Sequence, residues 1–310
     1  MPSVHNPIIQ IFKNTFPKSL KMIFWLLKII LPVSLAVSLL QYWGVIAAIA
    51  IYLEPLFRLI GLPGESAVVF ISSIFLPLYA PIAIITTMQL DLREITILAL
   101  MCLISHNMFV ESAIQGKTGS KAVVMFIFRI AMSFFSALIL NALLPDKLGM
   151  AVVADKIVVF HSVKDLLVNW LINAGWLSLK ISLIITGLLL LQNVLKEFHL
   201  LHYIAKLFVP FMKIFGLSKD SSFLWFVAQT LGLTYGSVVM LEAVEHKDIS
   251  IDNAKMLNYH IAVNHSLLED TLLFVAIGVP VLWIVFPRII LATLVVWIIR
   301  FFRKKEVSHS

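Results

Sequence analysis

Gly61-Leu62-Pro63-Gly64-Glu65-Ser66 returns 155 residues later as Gly216-Leu217-Ser218-Lys219-Asp220-Ser221. The match extends upstream, where Leu53-Glu54-Pro55-Leu56-Phe57-Arg58 meets Phe208-Val209-Pro210-Phe211-Met212-Lys213. Downstream, Leu76-Pro77-Leu78-Tyr79-Ala80-Pro81 meets Leu231-Gly232-Leu233-Thr234-Tyr235-Gly236-Ser237. Further on the offset drifts to 158 and 159, setting Glu111 against Glu269 and Arg129 against Arg288. Apolar similarity alone would not keep rare prolines, glycines, acids and bases in one order, so the chain reads as a duplication.

Outward from this match, each copy has one plan. An amphipathic stretch comes first, with Ile8, Ile11, Phe12 and Phe16 in one copy and Leu166, Leu167, Trp170 and Leu171 in the other at helical spacing, as expected of an interfacial helix. A span follows over 22–42 and 176–194, then a second amphipathic helix over 45–60 and 200–215 that carries Arg58, or Lys206 and Lys213. Residues 63–88 and 218–243 form apolar runs interrupted by Pro77 and Pro81, or by Gly232 and Gly236. Each half-helix would measure about 18 Å, too short to cross a hydrocarbon core of about 30 Å, so a re-entrant helical hairpin is expected. Spans over 92–115 and 120–144, then 251–276 and 279–301, close the copies. The expected division is 1–148 for the first repeat, 149–163 for a connecting loop and 164–310 for the second repeat.

Three crossings per copy is an odd number, so the copies must face opposite ways. A cytoplasmic N-terminus places Lys13, Lys18, Lys21, Lys117, Lys121, Lys196, Lys206, Lys213, Lys219 and the run Arg300, Arg303, Lys304, Lys305 on one side. Arg58, Arg93, Lys147, Lys156 and Lys164 fall on the other, the last three beside Asp146, Asp155 and Asp165. That asymmetry follows the positive-inside rule. The expected fold class is an all-α polytopic membrane protein of two inverted-topology repeats, each with an amphipathic interfacial helix, three spans and one re-entrant hairpin. Its expected location is the cytoplasmic (inner) membrane of a prokaryote, with both termini cytoplasmic.

Composition agrees with this plan. Of 310 residues 60% are hydrophobic and 13% charged, against about 25% charged in soluble domains. The formal charge of +7 gathers beside the terminal spans as an orientation signal, so no nucleic-acid partner is expected. One cysteine, Cys102, excludes a disulfide framework and multi-cysteine metal sites. Nucleophile-elbow, P-loop and dinucleotide motifs are absent, and neither enzymatic activity nor a cofactor is expected.

Glu111, Arg129, Glu269 and Arg288 lie within apolar segments, where a charge costs at least about 2.5–3.5 kcal/mol and needs a partner. In each copy the acid ends one span and the base begins the next, so a pair is expected in each. Such a pair either locks two helices or faces a pathway, as a proton carrier at the acids or an anion-binding base at the arginines. The third segments are unusually polar, with Ser105, His106, Asn107 and Glu111 in one and Asn258, Tyr259, His260, Asn264, His265, Glu269 and Asp270 in the other. Asn107 with Glu111 and His265 with Glu269 are i,i+4 pairs that would share a helix face and either line a cavity or bond a neighbouring helix. Tyr79 and Tyr235 stand at the hairpin tips, to stack on a ring or anchor the tip. His260, His265 and Glu269 match no zinc motif, and no metal ligand is assigned.

Gly61-Leu62-Pro63-Gly64-Glu65-Ser66, Ile74-Phe75-Leu76-Pro77-Leu78-Tyr79-Ala80-Pro81-Ile82 and the acid-led helix from Asp91 resemble the gate, or nucleoside recognition, domain family and, more distantly, the transport core of concentrative nucleoside transporters. Of those transporters' Gly-Gln-Thr-Glu-Ala-Pro tip, only Ala80-Pro81 is present. The resemblance implies a homo-oligomer that binds substrate between the tip and the following helix. The family's iron transporters carry a hairpin cysteine where this chain has Leu78 and Tyr79, or Leu233, Thr234 and Tyr235, which disfavours iron. Its sporulation-associated members imply an alternative.

The expected function is therefore a secondary transporter of a small polar solute, nucleoside-like or a related metabolite, coupled to protons or sodium. Tyr79, Ser105, His106, Asn107, Glu111, Thr234, Tyr235, Asn264, His265 and Glu269 would bind it, between tips shaped by Pro77, Pro81, Gly232 and Gly236. The expected partners are the lipid bilayer, the solute, the coupling ion and further copies of the chain. The alternatives are a non-transporting membrane assembly or partner-binding protein with structural ion pairs, and a transporter of an organic anion held by Arg129 or Arg288 or of a divalent metal.

Overall fold

The computed structural model describes residues 7–146, 148, 160 and 162–308, and the secondary structure among them is all helical. Most of the expected connecting loop over 149–163, together with Lys147, Asp155 and Lys156, lies outside the described residues. The first half contains α1 (Pro7–Tyr42), α2 (Val45–Leu59), α3 (Ser66–Phe75), α4 (Tyr79–Ile85), α5 (Leu92–Ser105), α6 (Met108–Lys117) and α7 (Ala122–Leu143). The second contains α8 (Val163–Glu197), α9 (Leu200–Leu207), α10 (Val209–Ile214), α11 (Ser221–Thr230), α12 (Gly232–Glu245), α13 (Ile251–Val263), α14 (Glu269–Val275) and α15 (Val281–Ser308).

Five helices among the described residues are long and apolar enough to cross a membrane: Gln10–Tyr42, Leu92–Lys117, Ala122–Leu143, Val163–Glu197 and Val281–Arg303. The second of these joins α5 and α6. Large apolar side chains such as Phe24, Val123, Leu183 and Phe302 stay exposed on them, as lipid-facing residues do.

Three expectations are corrected. The amphipathic stretch and the span after it form one continuous helix in each half, 36 residues in α1 and 35 in α8, about 54 Å in the longer. The helix runs on through Pro17 and Pro32, and Thr15 and Ser19 satisfy their hydroxyls on the carbonyls of Ile11 and Phe16. The segment over 92–115 is present as the candidate span Leu92–Lys117, but it is not one unbroken helix and turns between α5 and α6. The one over 251–276 is divided at 264–268 into α13 and α14, neither long enough to count as a span. Asn107 and Ser266 turn the chain at these breaks with φ of 48° and 47°, left-handed values for which asparagine is among the more tolerant residues.

The apolar runs break close to their expected centres. Pro77 lies between α3 and α4, and Gly232 opens α12 with φ 81°. Pro81 and Gly236 are not in the breaks. Pro81 sits in the first turn of α4, where its missing N–H is of little cost. Gly236 lets α12 approach α11, since a Cβ there would lie 3.0 Å from Ala228 Cα.

The left-handed positions recur along the chain. Gly44 and His199 (73° and 53°) and Gly61 and Gly216 (74° and 70°) stand 155 residues apart. Asn107 and Ser266, and Gly119 and Gly278 (both 99°), stand 159 apart. The added four residues fall where the 14-residue α12 replaces the 7-residue α4. Helices α1 and α8 pack side by side and run antiparallel, because Asn193 Nδ2 bonds Thr15 Oγ1 while Trp170 Nε1 bonds Ser34 Oγ. Beside them, α5 is buried from Ile95 to Ser105 and forms the centre of the larger apolar core.

Outside the spans, Glu54 joins α2 to the start of α3 by accepting from Arg58 Nε and the Gly64 amide. Those two bonds hold its carboxyl below the usual carboxylate range.

Candidate functional site

Helix α5 starts at a capping box, in which Asp91 accepts from the Glu94 amide (2.7 Å) and Glu94 from the Asp91 amide (2.8 Å). It ends deep in the protein, where its last carbonyls need donors. Arg129 on α7 supplies them, donating from Nε to Ile104 O (2.7 Å) and from Nη2 to His106 O (2.9 Å). The same Nη2 lies 2.7 Å from Glu111 Oε2, so the pair expected in the first copy is present and fully buried on the arginine side. In the second half, Arg288 on α15 donates from Nη1 to His265 O (3.2 Å), the corresponding carbonyl at the end of α13.

The expected pair of Glu269 with Arg288 does not form. Arg288 Nη2 bonds Thr271 Oγ1 at 2.7 Å and its Nε bonds Ile284 O, while Glu269 points toward the first half and accepts from Tyr79 Oη at 2.8 Å. The position that matches Glu111 is Asp270, because His106 and His265, Asn107 and Ser266, Glu111 and Asp270, and Arg129 and Arg288 all keep one offset of 159. Setting Glu269 against Glu111 places the acid one residue early and leaves Asp270 outside the expected site. The histidines, both next to a left-handed residue, carried the signal that would have corrected it.

These side chains converge across the halves. His106 Nε2 and His265 Nε2 lie 3.4 Å apart, with the rings tilted at 32°. Glu111 Oε1 is 3.4 Å from the first nitrogen and Oε2 is 3.4 Å from the second, and Asp270 Oδ2 is 3.5 Å from His106 Nε2. Each ring turns its Nδ1 to a carbonyl one turn back, Cys102 O at 3.2 Å and Ile261 O at 2.8 Å. The i,i+4 reading of these residues is corrected, since Asn107 and His265 lie in the breaks rather than on a helix face.

Main-chain bonds tie each interrupted apolar run to the break in the helix that follows. The Asn107 amide donates to Ser73 O (2.8 Å), and the Ser266 amide to Ala228 O (3.1 Å). Ser105 Oγ adds a 2.7 Å contact to Ser73 Oγ. At the second junction Gln229 Nε2 donates to Asn264 O (2.6 Å), and Gly232 lies beside Ser266. Gln229 Oε1 and both amide atoms of Asn264 are buried without a hydrogen-bond partner among the described residues.

The remaining polar residues do other work. Asn258 ties α13 to the end of α6 through Gln115, Thr118 and Ser120. His260 sits against Trp225 and Phe215 and does not join His265, so the set of His260, His265 and Glu269 does not converge. Tyr235 is partly exposed, with Lys196 Nζ 4.1 Å above its ring. The side chains of Thr234 and Ser237 lie outside the described residues. A cavity of about 810 Å³, lined in part by Gln89, Asn169, Trp170, Asn173 and Lys180, opens at the far ends of α4 and α14, about 10 Å along those helices from Tyr79 and Glu269.

This is a helical integral membrane protein whose two halves bring broken helices to one buried polar centre. The chain belongs to the Gate family, described as nucleoside recognition, whose model matches residues 23–145. It is similar to a Bacillus subtilis (strain 168) protein named Uncharacterized membrane protein YvoD, at 31% identity over 270 residues covering 86% of each chain. No solved structure matches.

Proposed function

We propose that the protein is a secondary transporter that carries a small polar solute, nucleoside-like or a related metabolite, across the cytoplasmic membrane with protons or sodium as coupling ion. In this reading residues 1–148 and 164–310 are inverted repeats, α3 with α4 and α11 with α12 are re-entrant hairpins, and both termini are cytoplasmic. The antiparallel run of α1 and α8 supports the inversion, because each is the long opening helix of its half. Secondary transporters place their sites where such repeats and their interrupted helices meet.

The observation that carries the reading is the set of unpartnered amide atoms on Gln229 and Asn264. A buried polar atom left without a partner costs about 1–3 kcal/mol, and a ligand with hydroxyl or ring-nitrogen groups would recover that cost. The cavity beside α8 is then the vestibule. Uptake of radiolabelled nucleosides into proteoliposomes, under an imposed proton or sodium gradient, tests the reading. Gradient-dependent uptake that falls away in Asn264→Leu and Gln229→Leu, with folding retained, is the expected result. Absence of uptake and of thermal stabilisation by nucleosides and organic anions would sink it in favour of an assembly role. That alternative has its own support in the way Arg129 is occupied by helix-end carbonyls. The double change Glu111→Arg with Arg129→Glu, if it left stability and all activity intact, would favour it.

A further inference from the structure

We infer that His106, His265 and Asp270, with Glu111 beside them, form a site for one divalent transition-metal ion at the junction of the two halves. A carbonyl oxygen only accepts, so the contacts of Cys102 O and Ile261 O place the ring protons on Nδ1 of His106 and His265 and leave Nε2 as a lone pair on each. Two lone pairs therefore face one another at 3.4 Å, with Glu111 Oε1 and Oε2 and Asp270 Oδ2 at 3.4–3.5 Å from one or other of them.

Five acceptor atoms converge, one of them, Glu111 Oε2, also 2.7 Å from Arg129 Nη2. Asp270 Oδ2 is buried with no hydrogen-bond donor among the described residues. A positive ion in their midst resolves the arrangement. The donor atoms of His106, His265 and Asp270 all lie within 4.8 Å of one another. Ligands about 2.0–2.2 Å from a tetrahedral zinc ion stand roughly 3.3–3.6 Å apart, which is the spacing of the two Nε2 atoms and of Asp270 Oδ2 from His106 Nε2. Imidazole and carboxylate together suit zinc, manganese, iron, cobalt or nickel. A ligating histidine characteristically donates its other ring N–H to a carbonyl or carboxylate, as both of these do.

The inference is independent of which solute is carried, and its test reads binding instead of transport. The full chain, purified in detergent and stripped with a chelator, is titrated with Zn²⁺ and with Co²⁺. One ion per chain is expected to bind, raise the unfolding temperature and, for cobalt, give the visible absorption of a low-coordinate N/O site. His106→Ala and His265→Ala should abolish this. Asp270→Asn should weaken binding by more than the roughly 10–100-fold lost with a second-shell group. His202→Ala and His246→Ala, both on the surface, should leave it unchanged. X-ray absorption on the unaltered zinc-loaded protein keeps the test open if a variant fails to fold, with two imidazoles and oxygen expected around the ion. Absence of saturable binding to the folded protein, binding that survives in both histidine variants, or sulfur in the first shell would each overturn the inference. A histidine titration without metal binding would assign the same centre to a proton.

Discussion

At the break in the first half, the guanidinium closes on an acid, with Arg129 Nη2 2.7 Å from Glu111 Oε2. At the equivalent break in the second half it closes on a hydroxyl, with Arg288 Nη2 2.7 Å from Thr271 Oγ1, and Asp270 Oδ2 has no hydrogen-bond donor among the described residues. One device repeated in sequence has thus taken two electrostatic forms. The first half neutralises its own charge and stiffens the break. The second leaves Gln229 Oε1, both amide atoms of Asn264 and Asp270 Oδ2 without a hydrogen-bond partner among the described residues, whereas the first leaves Ser112 Oγ, Gln115 Oε1 and Arg129 Nη1 so.

The largest effect that could break this contrast is loss of the arginines. Arg129→Leu leaves Glu111 buried and uncompensated and should cost about 3–5 kcal/mol in chemical unfolding of the detergent-solubilised protein. Arg288→Leu, which removes hydrogen bonds but no direct ion pair, should cost about 1.5–3 kcal/mol. Equal losses would make the two breaks energetically alike.

The acids sharpen the same point. Glu111→Gln is expected to lower the unfolding temperature by several degrees, whereas Asp270→Asn should be near neutral in metal-free protein, since Asp270 Oδ2 has no donor to lose. A steep fall in Asp270→Asn would show that this carboxylate is structurally engaged.

Next come the turns. Gly61→Ala and Gly216→Ala each force a side chain into the left-handed region, at about 1–2 kcal/mol. At Gly61 the new Cβ would also lie 2.0 Å from Asn141 Oδ1, the acceptor of Arg93 Nη2, while at Gly216 its nearest neighbour is Val296 Cγ1 at 3.1 Å. The first variant should therefore be clearly the less stable of the two by thermal unfolding.

The smallest contrast is between Thr271 and the matching Ser112. Thr271→Val removes the acceptor of Arg288 and should cost about 1.5–3 kcal/mol. Ser112→Ala removes a buried hydroxyl that has no partner among the described residues and should fall within about 0.5 kcal/mol of the parent protein.

The helical class, the two apolar runs and the positions of their breaks were legible in the sequence, because proline and glycine punctuate an apolar stretch in ways that local sterics dictate. The pair of Glu111 and Arg129 was legible too, because two buried charges on neighbouring spans need one another. Three things were hidden. The breaks at Asn107 and Ser266 carry no proline or glycine and depend on tertiary support from Arg129, Arg288 and the main chain of the facing run. The meeting of His106 with His265 is a contact across 159 residues that no local pattern encodes. Glu269 and Asp270 are adjacent acids, and a one-residue choice between them decides which faces Tyr79 and which faces the histidines.

The bonds from the Asn107 amide to Ser73 O and from the Ser266 amide to Ala228 O use main-chain atoms alone. A substitution at any of those four positions, proline at 107 or 266 excepted, keeps the donor and acceptor atoms, while the left-handed φ at 107 and 266 and the close packing of Gly236 on Ala228 limit which side chains fit. The neighbouring side chains, Leu76-Pro77-Leu78-Tyr79 in one half and Leu231-Gly232-Leu233-Thr234 in the other, have diverged around a fixed scaffold. The join can persist while the side chains around it change one residue at a time.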